Sequence, residues 1–460
     1  MLTRRRFLTR ATAASAAVLA PRAGLAQDDA PRVLRAAASR AQIAPPGYPE
    51  TALWTFDGSL PGPELRFMQG DRLRLDVVND IPQPTSVHWH GIRIDNAMDG
   101  VPGLTQPPIA PGETFAYDFA LPDAGTYWYH SHAQSVEQVE RGLYGPLIVE
   151  EPDAPEVDAD IVLLLDDIRL DQGGEVAEPF DSGFDRSHAG RIGNVVLTNG
   201  QTAFSREVRQ GDRLRLRLIN AANARIFELG LQGLDAMVVA LDGMPLAAPE
   251  PAAERLVLAP AQRIDLIADV IAGNGEDAFV IHYDRDGGYA QATFPVSAGT
   301  AAARAPVSAL PPNPDFPITL AGARTATLLM EGGAMRGLSG AMFNGERRDG
   351  RSLAEAGMFW ALNGVVGRTV TPLIEAALGE TVRIGMANDT AFAHAMHLHG
   401  MHFSEVRADG SLGPLRDTLL MAPGETREIA FTAHNPGDWL LHCHMLSHHA
   451  AGMGTFVRVT

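Results

Sequence analysis

The stretch Arg72-Leu-Arg-Leu-Asp-Val-Val alternates polar and apolar residues with a period of two. The alternation returns as Arg213-Leu-Arg-Leu-Arg-Leu-Ile and as Thr381-Val-Arg-Ile-Gly-Met, and each copy follows a Gly-Asp or Gly-Glu turn. Because successive side chains of a strand point to opposite faces, the pattern predicts three short half-buried strands. Helical periodicity is scarce, apart from one or two turns expected over residues 353–359. With 46 glycines and 32 prolines between the strands, an all-β chain of β-sandwich domains is expected.

The three strands belong to a longer repeat. In each copy a glycine precedes an asparagine by nine positions, as in Gly70 and Asn79, Gly211 and Asn220, and Gly379 and Asn388. The first and third copies share a further anchor, because Pro-Gly-Glu-Thr begins 19 positions before His130 and again 19 positions before His442. Equal spacings at several anchors indicate one ancestral unit that is present three times.

Composition excludes several classes of function. The 460 residues include 37 basic and 55 acidic side chains, with a net charge of −18 and no lysine. A surface this acidic repels phosphate backbones, so no nucleic-acid partner is expected. No run of about 20 apolar residues occurs, so no membrane span is expected. The single cysteine, Cys443, excludes a disulfide framework.

The N-terminus has the pattern of an export signal. Thr3-Arg-Arg-Arg-Phe-Leu is followed by a mildly apolar stretch over residues 11–20 and by small residues that end at Ala26. The arginines followed by Phe-Leu resemble a twin-arginine signal, which an export receptor reads. We therefore expect a signal over residues 1–26 and a periplasmic or secreted protein. The expected domains then cover residues 27–152, 153–305 and 306–460.

Eight of the 15 histidines form four His-X-His pairs. The pairs are His88/His90, His130/His132, His397/His399 and His442/His444. On a strand, residues two positions apart share a face, so each pair offers two neighbouring imidazoles. A lone pair of this kind is most often a solvated strand. Four pairs at matched spacings in two repeats instead predict a site for zinc, copper, iron or nickel, if the first and third domains pack together.

Cys443 lies inside the last histidine pair, and by the same period its side chain points to the opposite face. His394, His448 and Met453 are close enough in sequence to join it. Two histidines, a thiolate and a weak axial methionine are the ligands of blue electron-transfer copper. The chain neighbours of Cys443 belong to the histidine site, so this cysteine would give an electron a covalent route between the two sites.

Four motifs together resemble those of the multicopper oxidases, the family of laccases and cuprous oxidases. They are HWHG (88–91), WYHSH (128–132), HAMHLHG (394–400) and HCHMLSHHAAGM (442–453). The resemblance implies three consecutive cupredoxin-like Greek-key domains. It also implies four copper ions, one of type 1, one of type 2 and a type 3 pair, with a trinuclear cluster between the first and third domains.

The resemblance implies a role for every one of these side chains. The type 1 ligands would be His394, Cys443, His448 and Met453, and the type 2 ligands His88 and His397. One type 3 copper would take His90, His130 and His444, and the other His132, His399 and His442.

The implied reaction couples four one-electron oxidations at the type 1 copper to reduction of dioxygen to water at the cluster. Asp99, eleven positions after His88, matches a family carboxylate that assists proton delivery. It is alternatively a simple turn residue before Gly100. The chain departs from many bacterial members at His449, where those carry a glutamate. This histidine either titrates near neutrality and replaces the carboxylate or faces the solvent.

The electron donor is the open question. A laccase-like enzyme acting on phenols is the leading hypothesis, and a cuprous oxidase for copper tolerance is the alternative. Met330, Met335 and Met342 would deliver cuprous ions in the second case, or are ordinary packing residues. The acidic residues near the ligand segment are expected to be solvated loop carboxylates that could steer donors, namely Asp389, Glu405, Asp409 and Asp417. A third hypothesis of another class is a copper-free structural protein of the cell envelope with the same fold.

Overall fold

A computed structural model describes residues 31–44, 47–285, 287–299 and 304–460. The predicted export signal over residues 1–26 lies outside the described residues. Within the described ranges, no helix has both the length and the apolar character that crossing a membrane requires.

The first sandwich begins near the described N-terminus. It contains β1 (Arg32–Ala41), β2 (Thr51–Phe56), β3 (Leu65–Met68), β4 (Arg72–Asn79), β5 (Val87–His90), β6 (Thr114–Ala120), β7 (Gly125–Ser131) and β8 (Tyr144–Glu150), with a 3₁₀ turn at Asn96–Met98 and helix α1 (Ser135–Glu140).

The second sandwich is formed by the middle of the chain. It contains β9 (Ala159–Ile168), helix α2 (Gly183–Ser187), β10 (Val195–Thr198), β11 (Val208–Arg209), β12 (Arg213–Asn220), β13 (Phe227–Gln232), β14 (Leu234–Leu241), β15 (Met244–Pro251), β16 (Leu256–Leu258), β17 (Arg263–Val270), β18 (Asp277–Asp284) and β19 (Gly287–Ser297).

The third sandwich completes the chain. It contains β20 (Arg324–Gly332), β21 (Gly340–Phe343), β22 (Glu346–Asp349), helix α3 (Gly350–Glu355), β23 (Trp360–Leu362), β24 (Ile374–Ala376), β25 (Thr381–Thr390), β26 (His394–Leu398), β27 (Phe403–Val406), β28 (Leu412–Arg416), β29 (Thr418–Met421), β30 (Thr426–Thr432), β31 (Gly437–Cys443), helix α4 (Leu446–Ala450) and β32 (Gly454–Val459). The expected turns over residues 353–359 begin earlier, because the Asp349 carboxylate accepts from the Ser352 N–H at 2.8 Å and caps α3.

All three sandwiches share one strand order. The first sheets contain β2-β1-β4-β6, β10-β9-β12-β17 and β23-β20-β25-β30, and the last two of these continue with β14-β15 and β27-β28. The second sheets contain β3-β8-β7-β5, β11-β19-β18-β13 and β24-β32-β31-β26, and the last two of these continue with β16 and β29. In each sandwich the repeat strand (β4, β12 or β25) pairs in parallel with the first strand and antiparallel with its other neighbour. The equal spacings in the sequence therefore correspond to three copies of one fold.

The glycine and the asparagine of the repeat each have a structural task. The three glycines have φ of 89°, 83° and 88°, the left-handed region that a side chain disfavours. The three asparagines are buried, and the side-chain oxygen of each accepts from the N–H two residues later, at 3.1, 2.9 and 3.1 Å. The repeat thus fixes the turn before the strand and the bend after it.

The expectation that all three repeat strands are half-buried is wrong for one of them. β4 and β25 bury alternate residues, but β12 is buried on both faces. Its arginines remain inside because they are paired: Arg215 donates to Glu151 at 2.8 Å from two nitrogens, and Arg217 donates to Asp160 at 2.7 and 2.9 Å. A charged side chain is tolerated in a protein interior only with such partners.

The apolar cores explain where the copies meet. The first and third sandwiches share one large cluster of buried side chains, which includes Trp89 and Trp439. The middle sandwich has its own cluster around β12, β17 and β18. The histidine-bearing strands of the first and third copies are therefore held against each other.

Candidate metal centre

Two pairs of neighbouring strands carry the predicted histidines. β5 and β7 are antiparallel with His88 opposite His130, and β26 and β31 are antiparallel with His397 opposite His442. The pairing is the same in the two copies, as their matched spacings predict. Each copy therefore presents four imidazoles on one face.

The two faces meet across the shared core. The His88 and His399 rings stack with centroids 3.9 Å apart, and the His90 and His397 rings stack at 3.8 Å. The eight-histidine cluster consists of His88, His90, His130, His132, His397, His399, His442 and His444. All eight side chains are buried.

The ring nitrogens of the cluster form compact groups of three. In each group one nitrogen per residue lies within 4.8 Å of the others, and the groups are His90/His130/His444, His132/His399/His442 and His88/His90/His397. The first two groups have the membership that the family resemblance predicts for the type 3 pair. The third contains both residues predicted for type 2.

Hydrogen bonds on the outer side fix the ring orientations. Nδ1 donates to a backbone carbonyl in four rings: His88 to Asp99 at 2.8 Å, His130 to Ser131 at 2.9 Å, His397 to Asp417 at 2.9 Å and His442 to Cys443 at 3.0 Å. These rings turn Nε2 toward the cluster. His90 is reversed, because its Nε2 lies 3.3 Å from the Asp417 carboxylate and its Nδ1 faces inward. Such outer partners set the tautomer of a metal-binding imidazole.

Burial keeps six of these imidazoles neutral. It lowers their pKa well below the usual histidine value, and the neighbouring imidazoles add to the effect, in His90, His130, His132, His399, His442 and His444. A neutral ring has the lone pair that a metal ligand needs. These six rings are therefore in their ligating form at neutral pH.

A second group, here named the thiol set, consists of His394, Cys443 and His448. The two Nδ1 atoms are 3.1 Å apart, and Cys443 Sγ lies 3.6 and 3.7 Å from them. The outer Nε2 of His394 donates to the Thr390 hydroxyl at 2.9 Å, and that of His448 donates to the His188 carbonyl at 2.6 Å. All three inner donor atoms thus converge on one point.

Met453 adjoins the thiol set through the backbone. Its carbonyl accepts from the Cys443 N–H at 3.1 Å, and its N–H donates to the His448 carbonyl at 3.0 Å. Its side chain is fully buried in the same apolar cluster as Cys443. The predicted axial residue therefore lies beside the three other predicted ligands.

Known proteins resemble this one along nearly the whole chain. Profiles of the multicopper oxidase family match residues 37–154, 160–303 and 345–460. The multicopper oxidase MmcO of Mycobacterium tuberculosis is 32% identical over 441 residues, which cover 89% of this chain and 83% of MmcO. This chain belongs to the multicopper oxidase family.

Two further relatives agree with this assignment. Copper resistance protein A of Pseudomonas syringae pv. tomato is 28% identical over 558 residues, covering 90% of each chain. The crystal structure of Lac15 from a marine microbial metagenome has 44% sequence identity and a TM-score of 0.75, covering 93% of this chain and 100% of Lac15. The predicted fold of three consecutive cupredoxin-like domains is confirmed. This multicopper oxidase is a copper-binding oxidoreductase that uses oxygen, so the copper-free structural alternative is set aside.

Asp99 is a contact residue of the cluster in this multicopper oxidase. It is fully buried, and its carboxylate oxygens lie 3.0 Å from His399 Nδ1 and 3.3 Å from His88 Nδ1. One carboxylate thus touches an imidazole from each of the two histidine-bearing copies. Its position differs from that of a solvated turn residue.

Asp417 is a site residue that the sequence analysis did not identify. The expectation that it is a solvated loop carboxylate is wrong. It is buried, with its carboxylate 3.3 Å from His90 Nε2 and 3.6 Å from His397 Nδ1. Burial alone would raise its pKa, but Arg263 and the histidines hold the pKa of Asp417 well below its usual range. Arg263 is 154 positions away in the sequence, so no local pattern could have indicated this contact.

His449 does not fit the expectation of a group that titrates near neutrality. Its ring packs on His442 with centroids 4.3 Å apart and lies 5.7 Å from His132, and it remains partly exposed. Burial, with a smaller contribution from Arg368, lowers the pKa of His449 to about 4. The ring is therefore neutral near pH 7 and does not titrate there. It lines two cavities, of about 500 and 350 Å³, that both reach His132.

The three methionines considered for cuprous ions occupy different environments. Met330 is fully buried in the core, Met342 is partly exposed and Met335 is 88% exposed. Met330 is therefore a packing residue. Met335 is the most exposed member of the set, and Met342 is also open to solutes.

Proposed function

We propose that this enzyme oxidises small phenolic or similar reductants one electron at a time at a type 1 copper, and reduces dioxygen to water at a trinuclear copper cluster. The thiol set and Met453 would hold the first copper, and the eight-histidine cluster the other three. The observation that carries the proposal is the tripeptide His442-Cys443-His444, whose central residue belongs to one set and whose outer residues belong to the other.

The donor sets fit the ions. Within the described residues, the inward nitrogens Nε2 of His88, His130 and His397 and Nδ1 of His90 are buried and have no hydrogen-bond partner. A buried polar atom without a partner is costly, and a metal ion satisfies it. Imidazole and thiolate are the ligands that copper prefers. Burial raises the pKa of the Cys443 thiol to about 12, so this side chain gives a thiolate only when a cation displaces its proton.

Copper, when bound at these residues, supplies one-electron redox chemistry at the thiol set and multi-electron reduction of oxygen at the cluster. The chain supplies the connection. Two peptide bonds join Cys443 to His442 and His444, and the Cys443 carbonyl also accepts from His442 Nδ1 at 3.0 Å. Both links lie in the buried core.

Asp99 would hold the protons that reduction of oxygen consumes. Its carboxylate contacts His88 and His399, which belong to different groups of the cluster. A buried carboxylate in hydrogen-bond reach of a reacting centre is placed to act as a general acid and base. We also assign it the orienting of these two rings.

Different observations support an organic reductant and cuprous ion as the electron donor. The full burial of Met330 favours an organic reductant, because only two of the three thioethers are then open to a cuprous ion from solution. The exposed Met335 keeps the cuprous oxidase as the second candidate, since Ala334 N–H donates to the Ser187 carbonyl beside the thiol set at 2.6 Å. The name of the relative copper resistance protein A supports the same alternative.

Export and domain limits complete the proposal. The arginine motif at residues 4–8 supports export through the twin-arginine receptor into the periplasm or the medium. Domain boundaries near residues 152 and 305 agree with the gaps between β8 and β9 and between β19 and β20.

Oxygen uptake tests the function. Copper-loaded protein is given 2,6-dimethoxyphenol or cuprous ion in parallel, and copper is counted per chain. We expect four coppers, rapid uptake with the phenol and uptake near the blank with cuprous ion. Cys443→Ser is the control, because it removes the thiol and leaves every histidine. Fewer than four coppers, or equal uptake by wild type and Cys443→Ser, contradicts the proposal. Rapid uptake with cuprous ion alone identifies a cuprous oxidase.

A further inference from the structure

A segment of the middle sandwich covers the thiol set. His448 Nε2–H donates to the carbonyl of His188 at 2.6 Å, and Trp360 Nε1–H donates to the carbonyl of Arg186 at 2.5 Å. The Trp360 ring also packs on both imidazoles of the set, 4.4 Å from His448 and 5.0 Å from His394. His448 and Trp360 are fully buried. A dissolved reductant therefore meets the outer surface of residues 183–188 instead of the His448 ring.

The outer surface of this segment carries two stacked rings. Phe184 and His188 are four positions apart, and their rings lie parallel, with centroids 4.0 Å apart and planes 19° from each other. Phe184 is 67% exposed, whereas His188 is partly buried and meets the edge of Phe392 at 5.7 Å. We name Phe184 and His188 the aromatic platform. One of its rings is open to solutes and the other is anchored in the protein.

The platform is connected to the thiol set by few bonds. His188 supplies both the inner ring of the stack and, through its own backbone, the carbonyl that accepts from His448. An electron that leaves a molecule stacked on Phe184 crosses the stack with His188, the His188 residue itself and its hydrogen bond to His448. It then reaches the thiol set. Among the exposed aromatic pairs of the described residues, this one alone contains a residue that hydrogen-bonds to His394 or His448.

We propose that the aromatic platform is the docking site for a planar aromatic electron donor, an inference that rests on the proposed function. The donor stacks on Phe184, since flat rings attract one another in offset or tilted stacks. With copper held by the thiol set, each phenol would give up one electron there and one hydroxyl proton to water, and would leave as a phenoxyl radical. Four phenols thus supply the electrons that convert one dioxygen, with four protons, into two waters.

A variant pair tests the platform. Phe184→Ala removes the open ring, and Phe184→Tyr keeps it. The matched control is Phe316→Ala, since Phe316 is also exposed and stacks on a histidine, His434, at 3.8 Å and 11°. That pair has no contact with the thiol set. The blue absorption of each variant checks that the type 1 copper is intact.

Two quantities are measured on the copper-loaded enzymes. One is KM and kcat for 2,6-dimethoxyphenol, and the other is the dissociation constant of 1,2,3-trimethoxybenzene, which has no hydroxyl to oxidise, by calorimetry. We expect Phe184→Ala to raise both KM and this dissociation constant about five- to tenfold, with a smaller change in kcat. Phe184→Tyr and Phe316→Ala should resemble the wild type.

The outcomes separate the two proposals. Unchanged trimethoxybenzene binding in Phe184→Ala overturns the platform, even where the phenol is oxidised rapidly. Weakened binding in that variant supports the platform, even if the wild type consumes no oxygen with phenols and the proposed function fails. If Met335→Leu raises KM for cuprous ion and Phe184→Ala changes no phenol parameter, the surface serves metal ions and the platform is overturned.

Discussion

Arg263 and Asp417 form a fully buried two-point ion pair between the middle and third sandwiches. The guanidinium donates from its two terminal nitrogens to the two carboxylate oxygens, at 3.0 and 2.7 Å. Arg263 also donates to the Thr126 carbonyl of the first sandwich at 3.1 Å. One arginine of the middle sandwich thus touches both sandwiches that carry the eight-histidine cluster, directly behind His90 and His397.

The pair should control copper retention. Asp417→Asn and Arg263→Met each remove the partner that orients His90 and His397, so copper affinity of the cluster should fall about 10- to 100-fold. Copper per chain after dialysis against graded chelator measures this. Arg383→Met is the control, because its two-point pair with Glu428 lies on a partly exposed face. Copper retention equal to that of the control variant would show that Asp417 does not position the rings.

Asp99 should matter for oxygen more than for the donor. Asp99→Asn keeps the shape but removes the charge beside His88 and His399. We expect reoxidation of the reduced enzyme by oxygen to slow about 100-fold, while reduction of the type 1 copper by phenol keeps its rate. Stopped-flow absorbance separates these two half-reactions. If only the rate of reduction by phenol falls, Asp99 acts at the thiol set and not at the eight-histidine cluster, which contradicts the prediction.

The Cys443 thiol should be inert in the copper-free protein. Burial raises its pKa to about 12, and only the thiolate reacts with alkylating reagents. We expect alkylation by iodoacetamide at pH 8 to be at least 100-fold slower in the folded copper-free chain than in guanidinium. Mass spectrometry reads the label without ambiguity, since the chain has one cysteine. Rapid labelling of the folded chain would mean that the thiol is accessible.

His434 should make stability depend on pH. Burial lowers its pKa to about 4, against about 6.5 in the unfolded chain. Below pH 6.5 the unfolded chain therefore binds a proton that the folded chain refuses, and the free energy of unfolding falls as the pH drops toward 4. His434→Gln should reduce this loss by on the order of 2 kcal/mol, measured by denaturant titration at pH 7 and pH 4.5. If the free energy of unfolding falls equally with pH in both proteins, the lowered pKa of His434 is contradicted.

The buried arginines of β12 should be sensitive to loss of a partner. Glu151→Ala leaves part of the Arg215 charge unpaired in the interior, which should cost about 3 kcal/mol of the free energy of unfolding. Glu428→Ala, at the partly exposed pair with Arg383, should cost less than about 1 kcal/mol. Denaturation of the copper-free proteins compares the two. Similar costs at both positions would show that β12 is more hydrated than its burial indicates.

Much of this architecture could be predicted from the sequence because it depends on spacing. The period of two located the strands, and the glycine and asparagine anchors of the repeat reflect local needs of one turn and one bend. The four His-X-His pairs indicated one joint site because equal spacing in equal folds gives equal positions. Their roles as ligands to particular coppers stay predictions.

What could not be predicted depends on how the copies pack. Arg263 is a strand residue like many others until it meets Asp417 from another sandwich. The arginines of β12 alternate in the sequence as those of a solvated face would. They lie in the interior only because carboxylates of other strands pair with them. His188 acts through its backbone carbonyl, for which no side-chain pattern exists. The proximity of His449 to His442 follows from the α4 turn, which a single glutamate-to-histidine difference does not reveal.

The shared core of the first and third sandwiches suggests that these two copies alone make the enzyme. The middle copy, however, contacts both of them and fixes how they pack. Arg263 holds it against the back of the cluster, and the carbonyls of Arg186 and His188 hold it against the thiol set on another side. We expect a chain shortened to the first and third copies to keep every proposed histidine, cysteine and methionine ligand but to hold them at less well-defined distances. The middle copy therefore contributes to the site through its contacts and not through ligands of its own.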